Sequence, residues 1–124
     1  DAVLREVGAL TFNIGSDQKA LYHAAAVFSN NFTTVLQAIA RDAWAEAGVP
    51  DEIATKLNAS LLNATAKNVA NHGPAAALTG PAARGDMAVV KAQGETVARW
   101  NGEVGTLYQT LSALAVRLKA TGKI

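Results

Sequence analysis

The sequence predicts an all-α fold, a helical bundle built around one long central helix. Half of the residues are hydrophobic and only 6% are aromatic, and a core dominated by Ala, Leu and Val favours the close packing of helices. Apolar residues also recur at intervals of three and four along the long segments of the chain, the period of one face of an α-helix. At 124 residues, the chain has the length of one domain.

Composition argues against several classes of function. The formal net charge is +1 and there is no cysteine, so neither a basic nucleic-acid-binding surface nor a Cys-based metal site or disulfide is expected. The longest apolar run, residues 24–28, is far shorter than the ~18 residues of a membrane helix, and no signal peptide is recognisable. We therefore expect a cytoplasmic protein that binds neither nucleic acid nor membrane.

Residues 1–18 are predicted to be the remnant of a connection to another domain. Val3, Leu4 and Val7 would share one face of a short helix that ends at Gly8. The next residues alternate between apolar and polar from position 10 to position 14, which is the period of a strand. Because no second strand is evident, this segment is either an extended surface linker or an edge strand from the sheet of a missing domain.

The main domain, residues 19–124, is predicted to begin with the longest helix, which runs from Lys19 to Ala47. Ser16 or Asp17 is expected to cap its amino end. At about 1.5 Å per residue the helix would extend roughly 43 Å, so the other helices must pack around it.

Three further helices are expected, at about residues 51–72, 87–100 and 103–119. Asp86 is expected to cap the middle one, and a loop with glycine and proline at set places, residues 73–85, precedes it.

Motifs for catalysis or cofactor binding are missing from the sequence. There is no G-x-G-x-x-G fingerprint and no Walker loop, and His23 and His72 do not have the spacing of a zinc helix. Alone, the domain is expected to bind no cofactor or metal and to catalyse nothing.

Two stretches nevertheless carry more polar residues than packing requires. In the first, YHAAAVFSNNF from residue 22, His23 and Asn30 are seven residues apart and would share one helical face. They could hydrogen-bond a ligand carbonyl or hydroxyl, or simply be satisfied by neighbouring helices. In the second, ALTGPAARGD from residue 77, backbone N–H groups and Arg84 could hold an anion. The alternative there is a capped connection whose Arg84 pairs with a carboxylate.

Together, the two stretches resemble the signature of the C-terminal domain in a group of Rossmann-type NAD(P)-dependent reductases of unassigned substrate. Those proteins join an N-terminal Rossmann domain to a helical domain of the 6-phosphogluconate dehydrogenase C-terminal kind, and they are similar to ketopantoate and pyrroline-carboxylate reductases. The resemblance implies a substrate-side and dimerisation domain that is inactive without its Rossmann domain. It also implies a homodimer, a small-molecule substrate, and NAD or NADP bound by the full-length protein.

The resemblance also implies roles for particular residues. His23 and Asn30 are the catalytic candidates, which would orient or protonate the substrate's carbonyl or imine as hydride arrives. Substrate-binding roles are implied for Tyr22, Ser29, Thr79, Gly80, Arg84 and Asp86. Two departures leave the proton donor open, with Tyr22 as a substitute. No lysine lies between residues 22 and 41, where related dehydrogenases often have one, and Gln93 stands where members of the group often carry His.

The alternative is a stand-alone helical interaction module that dimerises through its long Ala-rich helix and has no enzymatic activity. This interpretation accounts for the composition but not for the loop at residues 79–86. A nucleotide-binding domain encoded upstream of this sequence would favour the reductase interpretation over the interaction module.

Overall fold

The computed structural model describes the backbone of residues 2–7 and 10–124 and the side chains of residues 12–124. Most of this part of the chain is helical, which confirms the predicted all-α fold class. It divides into two compact units, Asp1–Thr55 and Lys56–Ile124. In chain order the elements are β1 (Ala2–Val7), β2 (Leu10–Gly15), a 3-10 turn (Ser16–Gln18), α1 (Lys19–Ala26), a π turn (Val27–Asn31), α2 (Phe32–Glu46), α3 (Asp51–His72), α4 (Pro74–Ala77), α5 (Met87–Trp100) and α6 (Gly102–Thr121).

The two strands of the first unit pair as an antiparallel hairpin, with Val3 opposite Ile14. The predicted strand at residues 10–14 is confirmed, but it has a partner in this chain, and the predicted helix over residues 1–8 is wrong. Six residues are too few for apolar spacing to separate a helix from a strand. Val3 and Val7 are β-branched and favour the extended form once a pairing strand is available.

The predicted start of the long helix also differs from the structure. Ser16 and Asp17 were expected to cap it, but they lie in the 3-10 turn, and no side chain caps α1. The Lys19 N–H donates to the carbonyl of Ser16, so the turn supplies the partner that a cap would otherwise provide. Gly8, the predicted end of the first helix, lies outside the described residues.

The long helix itself is confirmed, because α1, the π turn and α2 form one continuous helical stretch over residues 19–46. Gly48 follows with a φ of 92°, a conformation that favours glycine and ends the helix. The sequence did not predict the π turn, in which the Phe32 N–H donates to the carbonyl of Val27.

In the second unit, α5 and α6 lie against each other in antiparallel fashion, within a few residues of their predicted bounds. The Asn101 side chain caps α6 by accepting a hydrogen bond from the Val104 N–H at 3.1 Å. The helices approach most closely at Gly105, where an added Cβ would lie 2.6 Å from the Cα of Ala98. The absence of a side chain at Gly105 therefore sets the spacing of this helix pair.

Candidate functional site

The predicted site residues fall into two groups, one in each unit. The first group consists of Tyr22, His23, Ser29 and Asn30, on α1 and the π turn. The second group consists of Thr79, Gly80, Arg84 and Asp86, between α4 and the start of α5. Each group is brought together by its own unit.

In the first group, Tyr22 is held between the hairpin and its neighbour on α1. Its half-buried ring lies 6.0 Å from the ring of Phe12 on β2 and 5.4 Å from the ring of His23, tilted in both cases. Tilted aromatic contacts of this kind restrict ring orientation. The hairpin therefore fixes Tyr22, while the imidazole of His23 remains exposed to solvent.

Ser29 and Asn30 both lie in the π turn, with exposed side chains. Their carbonyls accept hydrogen bonds from the hydroxyls of Thr33 and Thr34, at 3.0 and 3.3 Å. A π turn interrupts α-helical pairing at a cost and is frequent at functional sites. Because its i→i+5 bonding rotates the chain less per residue, Asn30 is displaced from the line through His23 that an uninterrupted α-helix would give.

The second group lies on a loop closed by its own backbone. The Arg84 N–H donates to the Gly80 carbonyl at 3.2 Å, and the Asp86 N–H donates to the Pro81 carbonyl at 2.8 Å. Gly80 and Gly85 have φ values of 98° and 74°, which non-glycine residues rarely adopt. The glycines at positions 80 and 85 of this loop are thus required by its backbone conformation.

Two expectations about this loop can be compared with the structure. Asp86 does occupy the N-cap position of α5, but its side chain makes no cap hydrogen bond, so the predicted capping interaction is wrong. The N-cap backbone, with φ of −83° and ψ of 73°, lies outside the usual extended region. Arg84 is exposed, and within residues 12–124 it has no ion-pair partner. The expected alternative, an Arg84–carboxylate pair, is therefore not found in the described part of the chain.

Lys119, in the last turn of α6, holds the start of this loop. Its Nζ donates to the carbonyl of Ala75 at 3.0 Å and to that of Leu78 at 3.2 Å. Both carbonyls lie at the carboxyl end of the short helix α4, where a cation is favourable. The loop is thus anchored to α6 by a side chain that was not among the predicted site residues.

Replacing Lys119 by Met should loosen this loop without unfolding the unit. We expect amide exchange at Leu78 and Asp86 to accelerate by about fivefold, because the loss of an exposed charged hydrogen bond costs about 1 kcal/mol. Amide hydrogen exchange followed by NMR measures this. Lys123→Met, which removes an exposed ammonium two residues after the end of α6, is the matched control. Equal exchange rates in the two variants would show that Lys119 does not anchor the loop.

A shallow groove of about 330 Å³ opens beside the loop in the second unit. In its lining, the hydroxyl of Tyr108, on α6, donates to Oε1 of Gln93, on α5, at 2.6 Å. We call it the Tyr108 groove. Its lining residues are Thr79, Pro81, Ala82, Gln93, Tyr108, Leu111, Ser112 and Ala115. Thr79 is the predicted site residue that lines it, and Arg84 and Asp86 do not.

Tyr108 and Ser112 were not among the residues predicted from the sequence. The available signal was weak, because Tyr108 is a single phenol among the leucines of α6. Gly94 on α5 is buried, and a Cβ placed there would lie 3.4 Å from the ring of Tyr108. The glycine at position 94 therefore makes room for this ring.

Both groups offer side chains that form hydrogen bonds. Over the described ranges 2–7 and 10–124, no cluster of three or more His, Asp or Glu is arranged to hold a metal ion. The same ranges contain no helix with both the length and the apolar character needed to cross a membrane. Hydroxyl, amide, imidazole and guanidinium groups remain, and these bind and orient small polar molecules.

Comparison with known proteins identifies a family model and a solved structure to which the chain is similar. A model for a domain of unknown function, DUF2520, matches residues 1–115. Among solved structures, the chain is similar to the crystal structure of the "putative NADP oxidoreductase" from Bacteroides fragilis, with a TM-score of 0.70 and 29% identity. That match covers 86% of this chain but 39% of the other, so the chain spans well under half of its neighbour's length. None of the curated proteins matches the sequence.

These matches bear on the resemblance drawn from the two sequence stretches. The family model covers nearly the whole chain, including both stretches, and the structural neighbour has a chain long enough for a further domain. The resemblance to a helical domain of Rossmann-type reductases is thereby confirmed, and the chain belongs to the DUF2520 family.

Proposed function

We propose that this chain is the substrate-side and dimerisation domain of an NAD(P)-dependent oxidoreductase whose cofactor is held by a separate Rossmann domain. The observation that carries the proposal is the match over 86% of this chain to 39% of an oxidoreductase named for NADP. More than half of that chain lies outside the match, which leaves room for a nucleotide-binding domain. The proposal retains the expected cytoplasmic location, since a chain without cysteine needs no oxidising compartment.

The cofactor would supply a hydride to a carbonyl or imine carbon of the substrate. This sequence has no G-x-G-x-x-G segment to approach a pyrophosphate, so its own residues are assigned to the substrate. His23 would donate a proton to the carbonyl oxygen or imine nitrogen as that atom becomes basic, and Asn30 would orient the same atom. The exposed positions of both side chains support this assignment, because a general acid must be able to reach its substrate.

Substrate-binding roles are proposed for the remaining predicted residues, each within its own unit. Arg84, exposed and without an ion-pair partner among residues 12–124, would hold a carboxylate through two parallel hydrogen bonds. Thr79 and Gly80 would contact the substrate from the loop that Lys119 anchors, while Asp86 would act from the start of α5. Tyr22, fixed by Phe12, and Ser29, in the π turn, would complete the first group.

The coding sequence upstream of Asp1 tests the domain assignment. We expect roughly 130–200 in-frame codons that encode a strand, G-x-G-x-x-G and a helix in immediate succession. A start codon directly before Asp1 would remove the cofactor site from the proposal and favour the stand-alone interaction module.

Homodimer formation is proposed from the apolar side chains on α1, the π turn and α2. Leu21 and Phe28 are 70% and 68% exposed, and Phe28 contacts Phe32 edge-to-face with ring centroids 5.1 Å apart. Phe32, Val35 and Leu36 are exposed as well. Large contiguous apolar surfaces are typical of interfaces rather than of free monomers, and a second copy would bury this one by a twofold contact.

A charge placed at Phe28 should disrupt this dimer. We expect Phe28→Glu to convert a dimer into a monomer at micromolar concentration, because a carboxylate would be buried without a partner. Light scattering coupled to size exclusion measures the mass, and Ser60→Glu, at an exposed polar position on α3, serves as the control. A monomeric wild-type protein would contradict the dimer proposal.

A further inference from the structure

The Tyr108 groove combines four hydrogen-bonding side chains with an apolar wall. Thr79, Gln93, Tyr108 and Ser112 supply hydroxyl and amide groups, while the rest of the lining is aliphatic. The lining includes no Asp, Glu, His, Lys or Arg. A ligand that enters this groove therefore meets hydrogen-bond partners but no countercharge.

The hydrogen bond between Tyr108 and Gln93 leaves other polar atoms of both side chains available to a ligand. The Tyr108 hydroxyl hydrogen is used by Oε1 of Gln93 at 2.6 Å, so the phenolic oxygen can still accept. The amide nitrogen of Gln93 has two N–H groups, and among the described residues it has no partner. The pair thus offers a donor and an acceptor side by side.

Two of the polar groups in the groove are held in place by their surroundings. The Tyr108 ring lies on the buried Gly94, at 3.4 Å from a Cβ position there, which sets the ring against the backbone of α5. The loop that supplies Thr79 is closed by its own backbone bonds and anchored by Lys119 to the Leu78 carbonyl. Polar groups held in this way are organised before a ligand arrives, so less ordering entropy is lost on binding.

We propose that the Tyr108 groove binds an uncharged, amide-like portion of a small molecule, with a carbonyl that accepts from Gln93 and an N–H that donates to Tyr108. An anion would lose its hydration without gaining a countercharge, and a purely apolar group would leave polar side chains unpaired. Its assignment to part of the substrate rests on the proposed function. Gln93 and Tyr108 are then specificity-determining residues that select a neutral group, while Arg84 selects an acidic one elsewhere.

Benzamide and benzoate test this selection, because they share size and shape and differ in charge. Titration into the 124-residue chain, followed by NMR, should give saturable shifts for the amides of Thr79, Ala82 and Ser112 with benzamide. We expect benzoate to bind about tenfold more weakly. Equal or tighter binding of benzoate, or the absence of saturable shifts at these residues with benzamide, would overturn the proposal.

Tyr108→Phe tests the role of the hydroxyl while keeping the ring on Gly94. Benzamide should bind about five- to tenfold more weakly to this variant, as expected when one hydrogen bond is lost and its Gln93 partner is freed. Thr110→Val removes a hydroxyl from α6 outside the groove lining and should leave the affinity within about twofold. Circular dichroism verifies that both variants are folded. Unchanged benzamide affinity in Tyr108→Phe would refute the proposal.

The two proposals can fail separately. Selective benzamide binding in a protein whose complete form neither binds nor uses a nicotinamide cofactor would leave the groove established and end the oxidoreductase proposal. Cofactor-dependent turnover without benzamide selectivity would support the oxidoreductase proposal and end the proposal for the groove.

Discussion

Gly105→Ala should destabilise the protein by about 2–3 kcal/mol, although alanine ordinarily stabilises a helix by about 1 kcal/mol relative to glycine. The added Cβ would lie 2.6 Å from the Cα, 2.7 Å from the Cβ and 3.0 Å from the backbone nitrogen of Ala98. Backbone atoms cannot move aside as a flexible side chain can, so α5 and α6 would have to separate. Urea denaturation followed by circular dichroism measures the free energy of unfolding.

Gly102→Ala is the matched control for this substitution. Gly102 begins the same helix, and nothing lies within 4 Å of an added Cβ there. We expect its stability to be unchanged or raised by up to about 1 kcal/mol. Gly105→Ala should therefore lower the free energy of unfolding, whereas Gly102→Ala should leave it unchanged or raise it. A Gly105→Ala variant as stable as Gly102→Ala would mean that α5 and α6 are not in close contact.

In the complete protein, His23→Ala should reduce kcat/KM by about 10²-fold or more, the usual contribution of a general acid. The exposed imidazole is not buried in a core, so folding and thermal stability should be nearly unchanged. Oxidation of NADPH measures the loss, with small 2-oxo acids and cyclic imines as trial substrates. Lys67→Ala, an exposed position on α3, is the control.

Arg84→Ala should act differently in the same assay, by raising KM rather than lowering kcat. Loss of a bidentate guanidinium–carboxylate contact weakens substrate binding by roughly 1.5–3 kcal/mol. For substrates without a carboxylate, the substitution should leave KM unchanged. If the His23→Ala and Arg84→Ala variants both catalysed reduction of the substrate at the wild-type rate, the assignment of the site would be wrong.

Helices with clear terminal signals were predictable from the sequence. The bounds of α5 and α6 followed from apolar periodicity. In the structure, Asn101 caps α6 and Gly122 ends it in a left-handed conformation. The hairpin was not predictable, since β1 is only six residues long and its extended form depends on pairing with β2.

Those parts of the candidate site that lie within one segment of the chain were predictable, and contacts between segments were not. The segments around His23 and Arg84 were identified by residue type, spacing and resemblance. The π turn was not, because a single wide turn leaves little trace in apolar periodicity. Gln93 and Tyr108 are fifteen residues apart and meet only because α5 packs on α6, so their pairing required the fold.

The most direct test of the central claim, that this chain works with a separate cofactor-binding domain, is a titration of NADPH and NADH into the complete protein and into residues 1–124 alone. Quenching of tryptophan fluorescence reports binding in each case. We expect saturable binding to the complete protein, with a Kd on the order of micromolar to millimolar, and none to the isolated chain. A complete protein that binds neither cofactor, or an isolated chain that binds one equally well, would contradict it.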